Sequence, residues 1–264
     1  MKSFAVCVAW YNPSQRDKFL EAWGLRDSLP PWLFLEQDVN RVGGAKMKNQ
    51  IIDRVVRGAQ HEVVIVLDDD CYPELSEGYG TSLEAFAIRH LDALLRQPVE
   101  MVEAVTEPPS RGTPYFCRTL QMPVACSMGF WTGVGDYDGP GQLVHGARTP
   151  MTFRRKAIFG RFFALCGMNL AFPAHWWPWC RFIEDVPRFD DIWQGFIFQK
   201  HAYRAGFCFN LAGPVVRHSR QSNVWANLRD EALNLERNET MWREVWEAPL
   251  FDSYEQLLRY LKLA

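Results

Sequence analysis

Hydrophobic residues in this chain recur with two different periods, and the alternation between those periods sets out the order of elements. Ser3–Trp10 is almost continuously apolar and predicts a first strand; Asn12-Pro13-Ser14 then supplies a turn and a helix N-cap ahead of Phe19, Leu20 and Trp23. Trp32–Leu35 predicts a short second strand that ends in Glu36-Gln37-Asp38. Gly43-Gly44 form a flexible turn before a helix whose apolar stripe is Met47, Ile51, Ile52, Val55 and Val56. His61–Leu67 predicts a third strand, and a capping box at Thr81-Ser82-Leu83-Glu84 opens a helix with Leu83, Phe86, Ala87, Leu91, Leu94 and Leu95 on one face. The βαβαβα order predicts an α/β fold with a parallel sheet.

The second half is less regular. Val99–Val105 fits a strand, while Glu107–Pro114, rich in Pro, Gly and Ser, is a loop. Phe153–Phe172 alternates basic and aromatic residues, Asp190–Ala205 has amphipathic helical spacing, and Phe207–Leu211 and Val215–His218 predict short strands. Asn223–Trp246 reads as one long, charge-laced helical region, and Ser253-Tyr254-Glu255-Gln256 caps a terminal helix through Leu263. There is no internal repeat, low-complexity tract or clean linker.

The third strand carries the strongest chemical signal. Its apolar run Val63–Leu67 breaks directly into Asp68, Asp69 and Asp70, at the edge where open α/β sheets bind ligands. Carboxylates this close repel one another, so their ionised form calls for a divalent cation or cationic neighbours, unless the triplet is a plain solvated turn. With 264 residues, 48% hydrophobic, the chain suits one large domain, and a net charge of −2 gives no bulk attraction to nucleic acid. Seven widely spaced cysteines without a C-x-x-C pair predict free thiols in a reducing compartment and no zinc site. The N-terminal apolar run is too short for a signal peptide or membrane span, so the expected location is cytoplasmic. Trp176, Trp177 and Trp179 are core residues or a sugar-stacking wall.

A strand ending in Asp-x-Asp resembles the metal-binding signature of GT-A glycosyltransferases. Further segments resemble, in order, the plant reversibly glycosylated polypeptides, the family that includes UDP-arabinopyranose mutase. They are LEAW (Leu20–Trp23), DVNR (Asp38–Arg41), LDDDC (Leu67–Cys71), RGTPYFCR (Arg111–Arg118) and DYDGPGQLV (Asp136–Val144). CGMNLAF (Cys166–Phe172), RFDDIWQG (Arg188–Gly195) and HSRQSN (His218–Asn223) follow. The resemblance implies a single GT-A-like domain over residues 1–264, with a mixed, mainly parallel sheet flanked by helices. Its parts are a nucleotide-binding half (1–105), a sugar or acceptor half (106–222) and C-terminal helices (223–264). It also implies Mn²⁺ or Mg²⁺ and a UDP-sugar substrate.

On that resemblance Asp68, Asp70 and His218 are the expected metal ligands. Asp69, on the opposite side of an extended chain, is expected to meet ribose or a lysine. Asp38, Asn40 and Arg41 are expected near uracil and ribose, and Lys46 near phosphate. Arg111 corresponds to the family's self-glycosylation site. A guanidinium, always protonated at neutral pH, is a poor nucleophile and a good anion clamp, so Arg111 and Arg118 are first expected as phosphate or sugar ligands. Asp190 and Asp191 are either helix N-terminal acids or an acceptor-side pair that orients a sugar hydroxyl or acts as general base. Asp136 and Asp138 either bind sugar hydroxyls or shape a Gly-rich turn. The implied activity is interconversion of UDP-arabinopyranose and UDP-arabinofuranose; the alternative is transfer from a UDP-sugar to a glycan, a protein or a hydroxymethylated DNA base. The partner is then a UDP-sugar, with homo-oligomerisation left open and no membrane. Nucleic acid enters only with the DNA acceptor, through Arg148, Arg154, Arg155, Lys156 and Arg161.

Overall fold

The structure, a computed structural model, describes residues 3–101, 111, 119–146, 155–219 and 223–263. Strand β1 (Phe4–Trp10) pairs in parallel with β2 (Leu33–Gln37) on one side and with β3 (Val63–Leu67) on the other, linked by helices α1 (Pro13–Ala22) and α2 (Gly44–Arg57). The chain thus moves outward from β1 in both directions, which leaves a crevice at the carboxyl ends of β1 and β3. Side chains alternate across these strands: Ala5, Cys7, Val64 and Val66 pack with α2, whereas Val6, Val8, Ile65 and Leu67 pack with α1 and α3 (Leu83–Ala93). Asn12 caps α1 as expected. The cap of α3 is Ser82, whose hydroxyl accepts from the Ala85 amide at 3.1 Å, one residue later than the Thr81 box predicted.

Beyond β3 the sheet is mixed. Its order is β2-β1-β3-β9-β7-β10-β4, with β8 (Ala157–Ile158) on β10 and with β5 (Gln97–Glu100) and β6 (Thr119–Met122) as a separate pair. Strands β7 (Val124–Gly133) and β10 (Cys208–His218) run parallel to each other, while β9 (Asn169–Pro173) is antiparallel to both β3 and β7, and β4 (Cys71–Pro73) is antiparallel to β10. The sequence pattern missed β7 and β9, because strands buried on both faces lose the alternation that marks a half-exposed strand. It also split β10 in two at a stretch where the register against β7 shifts around Gly213.

A buried polar chain fixes this centre. His90 of α3 lies between Ser127 Oγ (2.9 Å from Nδ1) and Asn169 Oδ1 (2.9 Å from Nε2), and the Asn169 amide donates to the Pro214 carbonyl at 2.8 Å. An amide oxygen only accepts, so Nε2 carries the proton and Nδ1 accepts from Ser127. Burial lowers the His90 pKa to about 4, in keeping with a neutral ring.

Helix α5 (Asp190–Arg204) is buried on two faces: Phe198, Ala202 and Tyr203 pack toward the sheet, and Trp193, Phe196 and Ile197 toward the C-terminal helices. The helical region from Asn223 consists of two helices, α6 (Val224–Glu231) and α7 (Leu235–Glu247), followed by α8 (Tyr254–Tyr260), capped by Ser253. Between β7 and β8 the short helix α4 (Gly139–His145) starts at Asp138. Lys200 is fully buried, and its ammonium donates to the carbonyls of Val245 (2.8 Å), Ala248 and Pro249 (3.5 Å), tying α5 to the end of α7. Trp176 and Trp177 are core residues. No helix of the described residues is long and apolar enough to cross a membrane.

Gly129 on β7 shows how tightly this centre is packed: a Cβ there would collide with the Pro214 carbonyl oxygen and the Asn169 amide. Gly129→Ala is expected to destabilise the protein by about 3 kcal/mol or more, since backbone cannot yield as a side chain does. Gly44→Ala, where a Cβ meets nothing within 4 Å, should be near neutral; urea denaturation of the two variants checks the contrast.

Candidate functional site

The carboxyl ends of β3, β7 and β10 and the amino end of antiparallel β9 face the same edge of the sheet. A cleft of about 620 Å³ opens there, walled by the start of α2, the turn after β3, the loop before α5 and the start of α5 itself. Asp68, Asp70, Asp190, Asp191, Lys46 and His218 all line it, so residues spread over the whole sequence meet in one place. Asp136 and Asp138 line it too, although Asp138 also caps α4 by accepting from the Gly141 amide at 2.7 Å.

Each carboxylate flanking the centre of the triplet has a cationic partner. Asp68 Oδ1 is 2.6 Å from Lys48 Nζ, and Asp70 Oδ2 is 3.6 Å from His218 Nε2. Burial opposes the charged form of Lys48, but Asp68, with Asp190 and Asp191 behind it, outweighs burial and holds the ammonium's pKa above its usual value. Burial likewise opposes charge on His218; the hydrogen bond and charge of Asp70 and the Val134 carbonyl prevail, and its pKa is raised. His218 Nδ1 lies 2.9 Å from the Val134 carbonyl, which can only accept, so Nε2 is the ring nitrogen turned toward Asp70. Asp69 is buried, does not line the cleft, and offers its main-chain carbonyl to Gln15 at 3.0 Å.

The opposite wall is acidic as well. Asp190 and Asp191 occupy the first turn of α5, where they complement the helix dipole, and both line the cleft. Asp191 Oδ2 accepts from the Gly167 amide at 2.7 Å, a contact that needs glycine, because a Cβ on residue 167 would lie 2.7 Å from the Phe182 ring and 3.0 Å from Asp191 Cβ. Burial and then the charge of Asp190 raise the Asp191 pKa to about 7, and burial raises those of Asp190 and Asp136. Cys166 Sγ lies 3.6 Å from Asp136 Oδ2, and burial pushes the thiol pKa up, so it has no thiolate character.

Arg188, left unassigned in the sequence, reaches the cleft from a backbone with φ +68°. Its Nε donates to buried Glu231 at 2.9 Å, and Glu231 also accepts from the Gly139 amide at 2.6 Å, so α6 and α4 are joined beneath the cleft wall. Lys48 was missed as well. Its signal was present: it stands four and seven residues before Ile52 and Val55, on the buried stripe of α2, where a cation needs a partner.

Other expected residues lie elsewhere. Both Asp38 carboxylate oxygens accept backbone amides, from Val42 (2.8 Å) and Gly43 (2.9 Å), so the side chain shapes the loop that leads into α2. Asn40 and Arg41 are exposed on that loop, outside the cleft lining; Arg41 has φ +51°. Arg111 is an exposed turn residue that does not line the cleft, and Arg118 lies outside the described residues. So do Arg148 and Arg154 of the basic run, while Arg155 pairs with Glu77 at 2.8 Å.

The donor chemistry suits Mn²⁺ or Mg²⁺: two carboxylates and an imidazole whose remote nitrogen faces a carbonyl, the usual arrangement behind a metal-bound histidine. Among the described residues, however, no three His, Cys, Asp or Glu side chains already form a metal-holding group. Lys48 and His218 supply the cationic neighbours that the triplet demands. The start of α2, at Gly44-Ala45-Lys46, also faces the cleft, and its N-cap Gly43 has no side chain to cap these amides, an arrangement that favours an anion.

Fold and cleft together define an α/β protein with an acid-lined cleft at the strand-end edge of its sheet. The chain belongs to the reversibly glycosylated polypeptide family, whose sequence profile matches residues 36–254. Similar proteins include the probable UDP-arabinopyranose mutase 1 of Pisum sativum, 27% identical over 220 residues that make up 75% of this chain and 60% of that protein. UDP-arabinopyranose mutase 3 of Arabidopsis thaliana is 27% identical over 256 residues, 84% of this chain and 65% of that one. The chain therefore spans less than two thirds of the length of these relatives. Solved structures with partial likeness include glucosyl-3-phosphoglycerate synthase from Mycobacterium tuberculosis with Mn²⁺ and UDP (TM-score 0.45, 11% identity, 100% of this chain and 81% of that one). Another is a mannosyltransferase from Pyrobaculum calidifontis with GDP-Man and Mn²⁺ (TM-score 0.46, 13% identity, 98% and 69%).

The raised Asp191 pKa has a stability consequence. A carboxyl that ionises near 3.8 when unfolded and near 7 when folded binds more protons in the folded state, so its contribution to stability is present at low pH and lost as pH rises from about 4 to about 7. Asp191→Asn should flatten that part of the curve of thermal midpoint against pH; an unchanged slope would show that Asp191 titrates normally.

Proposed function

We propose that this protein is a metal-dependent enzyme acting on a UDP-sugar, and that its activity is the interconversion of UDP-arabinopyranose and UDP-arabinofuranose. The observation that carries this reading is the convergence of Asp68, Asp70 and His218 with Asp190 and Asp191 on one cleft beside the uncapped start of α2. The names of the similar proteins supply the particular reaction.

In this reading the α2 amides and Lys46 bind the diphosphate of the substrate, and Asp68, Asp70 and His218 hold Mn²⁺ or Mg²⁺. An ion held there would supply positive charge to offset the negative charge that develops on the diphosphate as the bond from its β-phosphate oxygen to the anomeric carbon breaks. Asp190 and Asp191 face the sugar. Asp191, whose pKa is about 7, can accept the proton of the hydroxyl whose oxygen closes the new ring on the anomeric carbon. The pair can give a proton to the former ring oxygen as its bond to that carbon breaks and leaves it a hydroxyl; the β-phosphate oxygen of UDP then re-forms the anomeric bond. Cleft walls built from Leu165, Met168, Trp131 and Phe189 limit water around the freed sugar. The second reading, transfer to an external acceptor, uses the same donor side. It is favoured by the exposed position of Arg111 outside the cleft, since a self-glycosylated arginine must reach the anomeric carbon. A cytoplasmic location, inferred from sequence alone, accords with either.

Incubation with a panel of UDP-sugars and Mn²⁺, followed by chromatography of the nucleotides and intact mass of the protein, separates the readings. Isomerised UDP-sugar supports the mutase; UDP released only with an added acceptor supports the transferase; an absence of both, with UDP-sugar left intact, removes the enzyme reading. Asp70→Asn should abolish turnover in a protein that still folds, with a thermal midpoint lowered by loss of the buried pair with His218, and full activity of that variant in chelator-treated buffer would refute the metal site.

A further inference from the structure

We propose that Lys48 is a built-in counter-ion that occupies the cation position on Asp68 until a divalent ion displaces it, so that binding the metal is an exchange of one cation for another. The proposal rests on the metal reading of the preceding section and adds a residue that acts on metal affinity without being a ligand.

Three contacts define the seat. Lys48 Nζ lies 2.6 Å from Asp68 Oδ1 and 3.3 Å from the Gly167 carbonyl oxygen, and 5.2 Å from the centre of the Phe182 ring. The ammonium therefore has a carboxylate, a carbonyl and an aromatic face around it, and its side chain is only 14% exposed. A divalent ion ligated by Asp68 would stand within a few ångströms of this ammonium, and like charges at that range in a partly dry cleft repel strongly. Either the ion binds weakly or the ammonium leaves. The cleft offers it somewhere to go: Asp190 and Asp191 line the same cleft as Lys48 and act on the same charge. Gly167 connects the two seats, because its carbonyl accepts from Lys48 while its amide donates to Asp191 at 2.7 Å.

Without Lys48, Asp68 keeps its place but loses its cation. The triplet would then be short of positive charge, and a divalent ion would supply it without competition.

Calorimetric titration with MnCl₂ at pH 7, without nucleotide, tests this in the wild type, Lys48→Met and Lys48→Gln. Both variants should bind Mn²⁺ about tenfold or more tightly than the wild type, and Mn²⁺ should raise their thermal midpoints by more than it raises that of the wild type. Equal or weaker binding by folded variants overturns the exchange while leaving the metal site in place. If neither the wild type nor the variants bind Mn²⁺, the metal reading itself falls, and the exchange with it. Should both variants fail to fold, the lysine ε-CH₂ resonances of the wild type, titrated with Mg²⁺ and assigned by Lys48→Arg, read the same event. The Lys48 signal shifts to saturation if the ammonium is displaced, and a signal that stays fixed while Mg²⁺ binds refutes the proposal.

Discussion

The constraint that the rest of the site answers to is electrostatic: many carboxylates, Asp68, Asp70, Asp136, Asp190 and Asp191 among them, line one cleft. Water cannot fully solvate them there, so each must be paired, protonated or bonded to an amide. The protein uses all three means. Lys48 takes Asp68, His218 takes Asp70, the Gly167 amide takes Asp191, and raised pKa values at Asp136, Asp190 and Asp191 allow protons to do the rest. A cleft balanced in this way holds its acids without leaving an unpaired buried charge.

Holding those groups in position is the work of packing and polar contacts that extend well beyond the cleft. The His90–Ser127–Asn169 chain sets β9 against β7 and β10, and therefore sets where Cys166, Gly167 and Met168 enter the site. Helix α5 brings Asp190 and Asp191 to the cleft because it is clamped on two faces, by the sheet and by α7 and α8, with Lys200 closing the joint. The Arg188–Glu231 pair extends the same logic to α6. Breaking a pair in which one carboxylate is almost wholly buried is costly, so the C-terminal helices are coupled to the cleft wall rather than appended to it.

Local sequence pattern by itself determined a good deal. The run Val63–Leu67 ending in three aspartates pointed to a buried strand with its acids at an edge, because five consecutive apolar residues suit burial on both faces and the acids mark where the run ends. The α2 and α5 stripes, the caps at Asn12 and Ser253, and the meeting of the triplet with His218 and the Asp190–Asp191 pair were legible for the same reason: they are encoded within a few residues or carried by family motifs. What only the tertiary structure decided are the partnerships across long separations. That Lys48, and not Lys46, holds Asp68 depends on which turn of α2 lies over the end of β3. That Asp38 spends both oxygens on its own loop, and that β9 runs against its neighbours, depend on backbone amides and strand direction, which no side-chain pattern records.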